Sequence, residues 1–146
     1  MLRVVIALIL LVSPAAARDQ TAEQFLHSIY DQYENDAGPS LDNEALKTYF
    51  TPELFALIKA DADEANARGE VPKLDGDPLI DTQDWNITDL KFAVEEPRPG
   101  FATGVVTFRN FHRADEIRLD VVKLAGGWRI AEIYAPSGRL RELFGH

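Results

Sequence analysis

The chain has 146 residues, 46% of them hydrophobic and 10% aromatic, which is the composition of one globular domain and not of a disordered segment. Its formal net charge of −9 argues against nucleic acid and anionic lipid as partners, because both need clustered Lys and Arg. It contains no cysteine, so disulfides, thiol catalysis and thiolate metal sites are excluded, and core packing must hold the fold.

Met1-Leu2-Arg3 supplies one positive charge, Val4 to Val12 is an unbroken apolar run, and Ser13-Pro14 breaks it ahead of Ala15-Ala16-Ala17. This order predicts a signal peptide over residues 1–17, cleaved after Ala17. The apolar run is too short to span a bilayer, and no cysteine follows it to carry a lipid. The expectation is an exported protein, periplasmic or secreted, with no membrane anchor after cleavage and a single α+β domain over 18–146. Of the 24 acidic residues, 17 precede residue 91, so the first part of the mature chain is strongly acidic and the rest nearly balanced.

Thr21-Ala22-Glu23-Gln24 reads as a capping box, and Phe25, Leu26, Ile29 and Tyr33 recur at helical spacing behind it, predicting a helix over 21–35. Ala37-Gly38-Pro39-Ser40 stops it. Asp42 caps a short helix carrying Leu46, Tyr49 and Phe50. Thr51-Pro52 starts a third, with Leu54, Phe55, Ile58, Ala62 and Ala65 as its buried stripe and Gly69 as its stop. Asp61, Asp63 and Glu64 read as its solvated face.

Residues 70–86 form a loop rich in Pro, Gly and Asp, after which the period changes from 3.6 to 2. Leu90, Phe92 and Val94 mark one strand, Val106 and Phe108 a second, Ile117, Leu119 and Val121 a third. Ala125-Gly126-Gly127 turns into a fourth, Trp128 to Tyr134. Pro136-Ser137-Gly138 ends the sheet, and Leu140, Leu143 and Phe144 suggest a short closing helix. Helices followed by hairpin-linked strands predict an α+β fold, with helices on one face of an antiparallel sheet of about four strands. By parity Phe92, Val106, Leu119, Trp128 and Ile130 face the helices. The outer row mixes Arg109, Arg118, Asp120 and Arg129 with Val105, Val122 and Ile133. Those aliphatics predict cover by another subunit, and so a homodimer through the outer face.

The helix–helix–helix–sheet order, the loop from Asp77 through Gln83-Asp84-Trp85, and the Gly126-Gly127-Trp128-Arg129-Ile130 hairpin together resemble a bacterial exported family. That family is catalogued as domain of unknown function 3828. The resemblance implies a nuclear transport factor 2-like build, a cone of curved sheet around a helix, and an exported location. It implies no reaction.

Asp75, Asp77, Asp81 and Asp84 are the densest run of carboxylates. They read as turn formers and not as a Ca²⁺ site, since Leu79 stands where a calcium loop needs a ligand and no glutamate closes it. Asp77, Asp81, Gln83, Asp84 and Trp85 are therefore expected to anchor the loop, with the indole buried and Asp84 accepting main-chain N–H groups. Glu132 shares parity with Trp128 and Ile130, which points it at the helices. There it is a candidate general base raised by burial, with Tyr30 and Tyr33 as candidate neighbours. The alternative is an acid at the sheet rim paired with an Arg. Arg139-Leu140-Arg141 reads as a complement to the acidic helices. His27 and His112 have no ligand spacing, and no motif implies a cofactor or a metal.

Three functions remain open. The first is an exported binding or interaction module for a small molecule or a protein. The second is a small isomerase, dehydratase or hydrolase using Glu132 in the sheet's concavity. The third, suggested by the acidic charge, is an immunity-type neutraliser of a cationic protein.

Overall fold

The computed structural model of the protein describes residues 20–35 and 37–146, and the expected signal peptide, residues 1–17, lies outside them. Thr21 opens α1 (Ala22–Tyr30) with a complete capping box. The Gln24 N–H donates to Thr21 Oγ1 at 3.1 Å, and the Thr21 N–H donates to Gln24 Oε1 at 3.0 Å. A 3-10 segment, Asp31–Asn35, completes the helix predicted over 21–35. Asp42 caps α2 (Asn43–Tyr49) by accepting from the Ala45 N–H. Thr51 caps α3 (Pro52–Arg68), Pro52 takes its first turn, and Gly69, at φ 67°, ends it in the left-handed conformation. Leu54, Ile58 and Ala65 are buried, but Ala62, expected beside them, is exposed. Asp61 is not simply solvated either. Its carboxylate accepts from the Lys73 and Leu74 N–H groups at 3.2 and 2.9 Å, tying the following loop back to α3.

The sheet is open and antiparallel, with strands adjacent in chain order: β1 (Ile87–Arg98), β2 (Phe101–Asn110), β3 (Arg113–Leu124), β4 (Gly127–Ala135) and β5 (Gly138–Arg139). Four of these strands are predicted. The fifth is two residues long and forms where the chain folds back after Ser137, in a stretch that reads from sequence as an ending. It leads into α4 (Leu140–Leu143), the expected closing helix.

Two bulges decide which side chains face the helices. In β1 the register jumps between Thr88↔Arg109 and Lys91↔Thr107, with Asp89 at φ 56°. One extra residue there puts Ile87 on the same face as Leu90 despite their opposite parity. In β4 the register jumps from Val121↔Ile130 to Asp120↔Glu132, leaving Ala131 as the extra residue. Glu132 thus stands opposite Asp120, and Ile133 opposite the fully buried Leu119. Both parity assignments in this strand are corrected: Glu132 leaves the face of Trp128 and Ile130, and Ile133 joins the core.

α1 lies across β1 and β2, and its approach depends on Gly104, where an added Cβ would collide with Leu26 Cδ1. The Trp128 indole N–H donates to the Gln20 carbonyl at 2.9 Å, pinning the start of that helix to the sheet. Phe50, fully buried, bridges Ile130, and the Thr51 N–H donates to the Ile130 carbonyl at 2.9 Å. Together with β5 this bridge closes the β4 edge. Along the other side of the sheet Val105 and Val122 stay half-buried among exposed Lys91, Glu116 and Arg118, so that face is open to solvent.

Candidate functional site

The 70–86 loop and the C-terminal segment meet at the end of the sheet where β4 finishes, and the candidate residues gather there in two groups. The first is built on Asp77, only 8% exposed. Its carboxylate accepts from the Leu79 N–H at 2.9 Å and from the Tyr33 hydroxyl at 2.5 Å. Tyr30, one turn earlier on the same side of the helix, donates its hydroxyl to the Leu79 carbonyl at 2.8 Å. Leu79 and Ile80 are themselves buried, so the loop enters the core through this aliphatic pair and is locked by the two tyrosines. Burial raises the Asp77 pKa above its ordinary 3.8, opposed by the bonds from Tyr33 and Leu79. Burial and then the Asp77 charge push the Tyr33 and Tyr30 hydroxyls upward.

The rest of the loop is fastened differently from residue to residue. Asp81, at φ 58°, accepts from the Ser137 N–H at 3.0 Å and from the Ser137 hydroxyl. The Gln83 amide donates to the Asp75 carbonyl at 3.3 Å. Asp84 contributes its main-chain carbonyl, which accepts from the Thr82 hydroxyl at 3.2 Å and the Asn110 amide at 3.4 Å. Its carboxylate, expected to gather N–H groups, is exposed instead. Trp85 is half-buried, not buried: its ring meets Tyr33 edge-on at 5.2 Å and abuts Gly38.

Glu132 forms the second group, 5% exposed. Its carboxylate accepts from the Ile133 N–H at 3.0 Å, from Arg139 Nη2 at 3.1 Å and from the Arg141 N–H at 3.3 Å, with Arg141 Nε 4.0 Å away. The bond to Glu132 is also the main cause that raises the Arg139 pKa. Arg139 and Arg141 therefore close the tail onto Glu132 and do not complement the acidic helices. The structure brings Tyr30, Tyr33 and Asp77 together and gives Glu132 other partners. Ser137, Arg139, Arg141 and Asp61 are contributors that sequence reasoning missed. The one signal available was the pair of aliphatics at 79 and 80 inside a polar loop.

A cleft lies on each side of the loop. One, about 330 Å³, has Leu74, Pro78, Ile133, Leu140 and Leu143 as apolar walls, with Arg139 and Glu142 beside them. The other, about 370 Å³, is walled by Tyr33, Pro39, Trp85, Asp75 and Gln83. Either can hold a small group. The Asp77 and Glu132 carboxylates, however, are already engaged by donors of the chain itself. Among the described residues no three His, Cys, Asp or Glu side chains are placed to share a metal ion, and no helix is long and apolar enough to cross a membrane. Comparison of the chain with protein-family models, with curated proteins and with solved structures finds no match to any of them.

Proposed function

We propose that the chain is an exported binding module of the nuclear transport factor 2-like build, related to the family of domain of unknown function 3828, and that it presents the outer face of its sheet to another protein chain. The observation that carries this reading is a contrast between the satisfied carboxylates and the aliphatics of the outer face. The Asp77 and Glu132 carboxylates are held by donors of the chain itself, whereas Val105 and Val122 on the outer face stay half-buried among the exposed Lys91, Glu116 and Arg118. A reaction at Glu132 is the weaker alternative, because a general base needs a free oxygen facing substrate and both of its oxygens accept bonds from Arg139, Arg141 or Ile133.

A photo-crosslinking side chain at Val105 or Val122, in cells that export the protein, should trap a second protein chain. The same probe at Lys59 on α3 serves as the comparison. Equal trapping at all three positions, or none, would overturn the reading. The N-terminus of the exported protein should begin at Arg18, and an intact Met1 by mass spectrometry would remove export from it.

A further inference from the structure

β1 is an outer strand, and among the described residues no strand or bridge pairs with its free edge, the isolated bridges lying at Phe50–Ile130 and Asp77–Thr82. Between its two irregularities the run Lys91 to Glu95 keeps continuous register with β2. Lys91, Ala93 and Glu95 form its exposed row. Phe92 and Val94 belong to the core row but remain only half-buried. Charges on a free edge ordinarily keep other strands away. Here their spacing is self-complementary. A two-fold axis through Ala93 sets Lys91 of one antiparallel copy opposite Glu95 of the other, and Glu95 opposite Lys91, with Phe92 beside Val94 on the other row.

The phase of the hydrogen bonds agrees. The two-residue turn Phe111-His112 closes on Asn110 and Arg113, so the even residues of β2 bond to β3 and the odd ones to β1. Lys91, Ala93 and Glu95, which oppose Thr107, Val105 and Thr103, therefore direct their main-chain groups at β2. The N–H and C=O groups of Phe92 and Val94 are left for the free edge, and these are the residues that a dyad at Ala93 sets opposite each other. Sliding the register by two residues keeps the phase but loses the charge match. One direction sets Glu95 against Asp89, and the other sets Lys91 against Pro97.

We propose that two copies of this chain pair edge to edge through β1, in antiparallel register about Ala93, so that their sheets become one. The outer faces stay open in such a pair, so this proposal and the outer-face reading stand or fall separately. Sedimentation velocity of the purified protein at micromolar concentrations should show a dimer. Lys91→Glu and Glu95→Lys each turn two attractive cross-strand pairs into two repulsive ones, and should weaken it by about tenfold or more. The double variant Lys91→Glu with Glu95→Lys should restore it. Both positions are exposed, and circular dichroism melts will show that each variant is folded. A wild type that stays monomeric at hundreds of micromolar overturns the proposal. So does a folded double variant that does not regain the dimer, or a dimer lost in Val105→Glu but kept in Lys91→Glu.

Discussion

Glu132→Gln keeps the side chain's shape and removes the charge that Arg139 and Arg141 close upon. Because Glu132 is nearly buried but the Arg139 side chain is 46% exposed, solvent screens part of the loss. The expected destabilisation is about 1 kcal/mol, below the range of about 1.5–3 kcal/mol for a fully buried bond to a charged group. Denaturant melts measure it directly, and a variant more stable than wild type would mean that the carboxylate is held at a cost to the fold, as active-site acids are. Gly104→Ala tests the packing of α1 on the sheet. The new Cβ meets Leu26 Cδ1 well inside contact distance, and overpacking of this kind costs about 1–3 kcal/mol. In a Leu26→Ala background, itself destabilised by the lost core side chain, Gly104→Ala should cost less than in wild type, since the two residues then no longer collide. Strict additivity in that double-mutant cycle would argue against the contact.

At the scale of elements, Asp61 is the link between α3 and the loop that follows. Asp61→Ala leaves the Lys73 and Leu74 N–H groups to solvent, and should cost about 1 kcal/mol and speed proteolytic nicking within 70–86. Unchanged cleavage would show that the loop is held by Asp77 and Asp81 alone. The caps at Thr21, Asp42 and Thr51 were legible in the sequence because a cap is local: the oxygen and its N–H lie three residues apart. The strand positions were legible from their alternation. The bulges at Asp89 and Ala131 were not, because each depends on pairing with a neighbouring strand. Ile130-Ala131-Glu132-Ile133 reads as a plain continuation of the strand, and only register against Val121 and Asp120 reveals the extra residue. That one residue moved Glu132 and Ile133 to opposite faces and, with them, the expected active-site acid. The Tyr33–Asp77 and Asp81–Ser137 bonds span 44 and 56 residues, so no local pattern announces them.

For the molecule as a whole, the acid side of its stability curve should be set by two opposing carboxylates against a background of net negative charge. Asp77 is raised in the folded state, so its contribution is fully present below its ordinary value of 3.8 and is lost as pH rises through the folded value. Asp42, lowered first by the Ala45 N–H and then by Ser40, contributes above that ordinary value and loses its contribution as pH falls through its folded value. Mild acidification also relieves the repulsion of a chain at −9. Melting temperature should therefore rise as pH falls from neutral, and turn over below the ordinary carboxylate value of 3.8 as Asp42 is protonated. Asp77→Asn separates the causes. The amide oxygen can still accept from the Leu79 N–H, and the Tyr33 hydroxyl keeps a polar neighbour, so stability at neutral pH should stay within about 1 kcal/mol of wild type or improve. The rise on acidification should flatten, because the buried charge is gone. If Asp77→Asn instead keeps the full slope, the general charge of the molecule and not the buried carboxylate governs its response to acid.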